Sequence, residues 1–185
     1  IDSDNNFVNT GAISGTGKSV QMFMVGETPY TFLLAKQAYD ENGKPLEGQY
    51  IQPDGSVSSA ETRVNTGKSG LPSHLLGFNT RVSWKNWDLG IAGHGSFGSW
   101  VYNYLRADQY LTSTSTAESG FENQQLYSDY WLERGDFFRF DNITLGYTFH
   151  RLWDKRSSLR VTFGVQNVAT ITSYSGVDPE MYSGN

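Results

Sequence analysis

The feature that most constrains this chain is a strict two-residue alternation of apolar and polar side chains. Over residues 75–86, Leu76, Phe78, Thr80, Val82 and Trp84 fall in one phase, and Gly77, Asn79, Arg81, Ser83 and Lys85 in the other. The pattern restarts at once: Trp87, Leu89, Ile91, Gly93 and Phe97 share a phase against Asp88, Gly90, Ala92, His94 and Ser96. Successive side chains of a β-strand point to opposite faces, so each run predicts a strand with one apolar and one polar face. Only Lys85 and Asn86 separate the two runs, which predicts a tight hairpin.

Residues 142–149 repeat the pattern with Ile143, Leu145, Tyr147 and Phe149, and residues 158–165 with Leu159, Val161, Phe163 and Val165. Their connection, residues 150–157, is short and polar apart from Leu152 and Trp153, and predicts a second hairpin. A fifth strand is predicted over residues 29–37, with Tyr30, Phe32 and Leu34 on one face. Residues 124–132 have some helical spacing but are short and flanked by Gly120 and Gly135, so no helix is predicted. The expected class is all-β and antiparallel.

The connections alternate in length. They are long over about residues 38–74, short at 85–86, long over about 98–136, short at 150–157, and long again from Thr170. Outer-membrane barrels have short periplasmic turns and longer extracellular loops, whereas a soluble sandwich has no physical reason to place every long loop at one end. The aromatics agree. Trp84, Trp87, Phe149 and Trp153 fall at the short-turn ends, and Phe97, Trp100, Tyr102, Phe137 and Phe138 at the long-loop ends. Two aromatic belts around an aliphatic band are the girdle pattern of a membrane barrel. The polar phase, with Asn79, Arg81, Lys85, Asp88, His94, Asn142, Thr144, Arg160, Thr162 and Gln166, suits either a water-facing sheet or a polar lumen. Pattern alone leaves both open.

Aromatics at 15%, 20 Gly and 18% charged residues suit a β-rich protein with many turns and oppose disorder. The net charge is −5 and basic residues are scattered, which argues against a nucleic-acid partner. With no Cys, disulfides, thiolate metal sites and Cys nucleophiles are excluded. No run approaches the roughly 20 apolar residues of a membrane helix, but barrel strands need only alternate, so a mean hydropathy of −0.48 does not oppose a barrel. The chain starts at Ile1 with neither Met nor a signal peptide, as a processed or excised piece is expected to.

The last third carries a specific string. Gly135-Asp-Phe-Phe-Arg-Phe-Asp-Asn-Ile-Thr-Leu-Gly-Tyr-Thr-Phe149 is followed by Ser158-Leu-Arg-Val-Thr-Phe-Gly-Val-Gln-Asn167 and by Tyr174-Ser-Gly-Val-Asp-Pro-Glu180. These residues closely resemble the C-terminal signature of the SusC/RagA family of TonB-dependent transporters. Trp131-Leu132-Glu133 resembles the lead-in to that strand. Val25-Gly26-Glu27-Thr28-Pro29 and the region from Pro72 to Gly77-Phe78-Asn79 also look like the family. The resemblance implies transmembrane strands of an outer-membrane barrel, about five of about 22, with long extracellular loops. It implies a fragment, residues 1–185, in which the last strand, the plug, the TonB box and the N-terminal domain are missing. It implies active import of glycans, or less often peptides, across the outer membrane of a Bacteroidetes-like Gram-negative cell. The implied partners are a SusD-like surface lipoprotein, the TonB complex, the rest of the barrel and outer-membrane lipid.

Catalytic chemistry is not apparent. His74, His94 and His150 have no second ligand at metal spacing, and there is no nucleophile elbow, phosphate loop or dinucleotide fingerprint. Asp40-Glu41-Asn42-Gly43 and Asp2-Ser3-Asp4-Asn5 faintly suggest Ca²⁺ ligands, but turn chemistry explains Asn42-Gly43 and Asp54-Gly55 better. No catalytic residue, metal or cofactor is expected. The sequon Asn142-Ile143-Thr144 lies in a predicted strand and carries no meaning. In the loop of residues 98–136, Trp100, Tyr102, Tyr104, Tyr110, Tyr130 and Trp131 are the candidates for contact with substrate or partner. Packing of the loop on itself is the alternative. By strand phase Asn79, Arg81, Asp88, His94 and Arg160 are the lumen-facing candidates. Two competing functions remain: a soluble β-sandwich carbohydrate-binding module, and a secreted β-sheet hydrolase using a carboxylate pair drawn from acids such as Asp88 and Asp136.

Overall fold

The computed structural model describes residues 7–13, 17–109, 121–123, 125–152 and 157–180. Its strands, in chain order, are β1 (Phe7–Asn9), β2 (Ala12–Ile13), β3 (Lys18–Ser19), β4 (Gln21–Met24), β5 (Thr31–Tyr39), β6 (Pro45–Ile51), β7 (Val57–Ser58) and β8 (Arg63–Ser69). They continue with β9 (His74–Trp84), β10 (Trp87–Phe97), β11 (Trp100–Tyr102), β12 (Leu132–Arg134), β13 (Phe137–Leu152) and β14 (Ser157–Thr172). One short helix, α1 (Tyr104–Gln109), and a single 3₁₀ turn (Asp129–Trp131) complete the description. The all-β, antiparallel expectation holds.

The chain divides into two units. One comprises Ser73–Phe97 and Asp136–Ser173, and is a four-stranded sheet in the order β14-β13-β10-β9. Both predicted hairpins are present. The first closes with Trp84 opposite Trp87 across a two-residue turn, in which Lys85 takes φ 54°. The second joins two strands of 16 residues each, longer than the runs read from sequence. The extension has a physical cause. Asp141 is an extra residue in β13 against β10, and Asn167 and Val168 together oppose it in β14. Asn167 bends there with φ 51°, a conformation that Asn tolerates better than most residues. This stepped bulge breaks the alternation and conceals the continuation of both strands.

The other unit comprises Ile1–Pro72, Gly98–Gly135 and Tyr174–Asn185. Its main sheet runs β1-β4-β5-β6-β7, with β8 also paired to β5. The core is Val20, Phe32, Leu34, Ala107, Phe121, Leu126, Trp131 and Leu132. Burial of Phe32 and Leu34 contributes about 1.5–3 kcal/mol each. Segments far apart in sequence are therefore fused by one apolar cluster.

The strand predicted over residues 29–37 corrects the five-strand wall. It exists as β5, but in this second sheet, and Thr31 to Ala35 are all buried. A strand covered on both faces reads as a continuous apolar run, and Thr31-Phe-Leu-Leu-Ala35 is one. The four-stranded sheet therefore holds four of the five predicted strands. The long connection over residues 38–74 is itself folded into β6, β7 and β8. Helix α1 was not predicted, because six residues are too few for a periodic signal and would not persist alone. Asn103 caps it, its Oδ1 accepting the Arg106 amide at 3.1 Å, while Ala107 anchors it in the core.

Candidate functional site

The four-stranded sheet sorts its residues by face. On one face, Asp88 accepts hydrogen bonds from Arg81 Nη2 at 2.9 Å, Arg160 Nη2 at 2.6 Å and Arg160 Nε at 3.2 Å. These side chains come from β9, β10 and β14, so Arg160 must cross β13 to reach Asp88. Gly146 sits opposite Asp88 in β13, and a Cβ there would meet Asp88 Oδ2 and lie 2.8 Å from Arg160 Nη2. The glycine of the Leu-Gly-Tyr string is thus the gap through which the ion pair closes. Further along, His94 Nδ1 lies 2.8 Å from Asp141 Oδ2, the residue extruded by the bulge. The Phe137 ring packs perpendicular to the His94 imidazole, with ring centroids 5.6 Å apart. Asn79 shares this face opposite Ala92 and is exposed. Of the five lumen-facing candidates, the fold joins Arg81, Asp88 and Arg160, pairs His94 with an unforeseen Asp141, and leaves Asn79 apart.

The opposite face is apolar and bare. Leu76, Val82, Leu89, Leu145, Leu159, Val161, Phe163 and Val165 are exposed, Val161 by 53% and Phe163 by 69%. Aromatics bracket this band. Near the short turn, Tyr147 packs edge-on against Trp87 and Phe149, each at 4.6 Å. Near the long loops, Phe78, Phe138 and Phe140 form a cluster with centroids 5.2–6.2 Å apart. The second belt corrects the expected one. Trp100 and Tyr102 lie in the other unit, which the chain enters at Gly98, where φ is 86°. Phe137 lies on the polar face instead, its phase set by pairing with Ser96. Trp153 lies outside the described residues.

The loop aromatics are largely engaged within their own unit. Trp131 is buried, and its indole donates to the Gln125 carbonyl at 3.1 Å. The Tyr102 hydroxyl donates to the Leu126 carbonyl at 2.7 Å, and burial pushes its pKa up. Lys68 Nζ stands 3.9 Å from the Trp100 ring centre and Arg134 Cζ 4.8 Å. Tyr130 packs edge-on against Phe121 and Trp131. Tyr104 is half-buried beside the core. Tyr110 lies outside the described residues. The Asp40 carboxylate accepts the Asn42 and Lys44 amides at 2.9 and 2.8 Å, which is turn chemistry.

No family model matches the chain. The TonB-dependent receptor SusC of Bacteroides thetaiotaomicron is 32% identical over 191 residues, covering 92% of this chain and 19% of that protein. The chain matches a segment of a SusC/RagA-type TonB-dependent transporter. TonB-dependent receptor P3 of Formosa agariphila is 24% identical over 70% of the chain and 15% of its own length. In solved structures of the RagAB peptide importer, the closed-closed and open-open states both superimpose with a TM-score of 0.68, at 22% and 21% identity. The segment covers 94% and 97% of itself there, and 22% of each matched chain. It therefore spans about a fifth of the length of these relatives.

Two signature strings of the SusC/RagA-type segment meet in the fold. Glu133 accepts the Ser175 amide through Oε2 at 2.8 Å and the Ser175 hydroxyl through both oxygens at 2.7 and 2.8 Å. Asn103 Nδ2 donates to Glu133 Oε1 and to Ser175 Oγ, each at 3.0 Å, and Arg106 Nη1 donates to Glu133 Oε1 at 3.2 Å. Burial alone would raise the Glu133 pKa, but the donors from Ser175, Asn103 and Arg106 outweigh it and hold the carboxyl below its usual range. Sequence reasoning missed Asn103 and Arg106, because neither belongs to a motif. Another junction was equally invisible. Ser128 Oγ donates to Gln37 Oε1 at 2.7 Å, and the Gln37 amide donates to Asp129 Oδ1 at 2.8 Å.

Proposed function

We propose that this segment is part of the wall of an outer-membrane barrel that imports oligomeric nutrients, energised through TonB. The observation that carries the reading is the two-faced sheet, bare and apolar on one side and polar on the other. Exposed apolar surface of this extent needs an apolar covering. The eight-residue rise from Trp87 to Gly95 is roughly 26 Å along the strand at about 3.3 Å per residue. A barrel tilt of ~40° reduces this to roughly 20 Å, close to the ~25 Å apolar band of such barrels. The polar face then lines the lumen with Asn79, Arg81, Asp88, His94 and Arg160. The stepped bulge fits a barrel wall, since bulges supply curvature.

The cargo in this reading is glycan fragments, with no covalent chemistry performed on them. A SusD-like lipoprotein covers the extracellular mouth, and the unit that holds Trp100, Tyr102, Tyr104, Tyr130 and Trp131 supplies contacts to it or to cargo. Peptide import is the second reading, and the RagAB peptide importer supports it. In the parent protein, a cysteine placed at Val161 should react with a membrane-soluble maleimide and resist a charged one. Reaction with both reagents equally would sink the barrel wall. Loss of growth on a glycan but not on peptides, after deletion of the parent gene, would separate the two cargo classes.

A further inference from the structure

We propose that the Arg81–Asp88–Arg160 cluster is a carboxylate-binding site, an inference that rests on the lumen-facing reading of the polar face. Two guanidiniums share one carboxylate, so the cluster carries one positive charge in excess. Residues close to it on the same face are neutral: Ser83 opposite Asp88, Thr144 opposite Gly90, Thr148 opposite Arg160 and Thr162 opposite Gly146. Asp88 is used up, its side chain only 12% exposed and both oxygens engaged. The arginines are not. They make three hydrogen bonds between them among the described residues, with side chains 64% and 45% exposed. Each guanidinium keeps N–H groups on its outer edge, in the planar fork that suits a carboxylate. Gly146 leaves room for Arg160 to reach Asp88 across β13, which sets the two guanidiniums on either side of one carboxylate.

An ion-pair staple needs one cation for one anion. The second arginine makes this cluster a receptor for a second anion, and Asp88 sets its spacing. Charged side chains that face a water-filled passage through a membrane mark the route of a substrate or ion. The carboxylate has two sources: an acidic side chain of the parent chain outside residues 1–185, or a carboxylate on the cargo.

The test uses the full-length parent transporter purified in detergent. R81K and R160K variants are treated with a water-soluble carbodiimide, which joins an amine to a carboxylate in contact, and the products are mapped by mass spectrometry. An amide from position 81 or 160 to an acid outside residues 1–185 supports the site and assigns it to the parent chain. In parallel, phenylglyoxal modification of Arg81 and Arg160 is followed in the unsubstituted protein with glutarate added, and with glucose as the neutral control. Slowing by glutarate of about tenfold, without an internal amide, supports the site and assigns it to cargo. Coupling to Asp88 alone, or to nothing, together with no protection by glutarate, overturns it. Failure of the wall reading registers separately: a Val161 cysteine that keeps its membrane-protected labelling while these assays fail sinks the carboxylate site alone.

Discussion

Glu133 holds Ser175 by both its backbone amide and its hydroxyl. One carboxylate thereby fastens the Tyr-Ser-Gly-Val-Asp-Pro-Glu string to the end of the preceding long loop. Asn103 adds a third segment, because it caps α1 with its Oδ1 and donates to both Glu133 and Ser175 with its Nδ2. E133A should loosen residues 174–180 while leaving the four-stranded sheet intact. Removing a charged acceptor costs about 1.5–3 kcal/mol, which is tenfold or more in amide exchange. Hydrogen exchange of the Ser175 amide measures it, and unchanged protection would contradict the clamp.

The same clamp is pH-dependent, with a definite sign. The folded pKa of Glu133 lies below its unfolded value. Its contribution is therefore fully present above about pH 4.3 and is lost as the pH falls through the folded value. A spin label on a cysteine at Val177, which is 79% exposed, should show a sharpening spectrum over that acid window. E133Q should remove the transition.

Gln37, Ser128 and Asp129 should separate by charge. S128A leaves the buried Gln37 amide oxygen without its 2.7 Å donor and should cost about 1–3 kcal/mol. Asp129 differs. Burial raises its pKa, outweighing the Gln37 amide and the nearby Lys68 and Lys36. A folded pKa above the unfolded one means that stability falls as pH rises between the two. D129N keeps the acceptor and removes the buried charge, so it should be neutral or stabilising at pH 7. Proteolytic resistance of the segment around residues 127–131 reads both variants.

Neighbouring positions in β13 should respond oppositely to charge. L145K places an ammonium on the bare apolar face and should cost about 2–4 kcal/mol if that face meets the lipid midplane. T144K places it on the polar face and should cost far less. Outer-membrane yield and the heat-induced shift on gels compare them. Equal losses would contradict the assigned faces.

G146A should be poorly tolerated although the residue is small and in a strand. A methyl group there enters the space of Asp88 Oδ2 and the Arg160 guanidinium. Overpacking of this kind costs about 1–3 kcal/mol. A thermal midpoint equal to that of the unsubstituted protein would show that Arg160 does not need this passage.

Local alternation was enough to locate β9, β10 and the middle of β13 and β14, and to assign most residues to a face. It failed where registry is set by a neighbouring strand: the bulge at Asp141 opposite Asn167 and Val168, and the switch of Phe137 to the polar face. It also failed for β5, because the short run Tyr30, Phe32, Leu34 looks the same in a wall strand and in a strand buried on both faces. The aromatic loop was conspicuous in composition, but composition does not say whether a ring meets solvent, a cation or another ring. Trp131 and Tyr102 are occupied by carbonyls of Gln125 and Leu126, more than four positions away at Trp131 and more than twenty at Tyr102.

By itself, then, the sequence determined an antiparallel β protein, two hairpins, the two faces of their strands and the resemblance to SusC/RagA transporters. These are properties of near neighbours in the chain, where a period of two and a few fixed side chains suffice. Only the tertiary structure decided which distant residues share a hydrogen bond: Arg160 with Asp88 across Gly146, His94 with Asp141 at the bulge, and Ser175 with Glu133 and Asn103. Such pairings depend on strand order and register, which arise from the summed packing of the whole sheet and are written in no single stretch of residues.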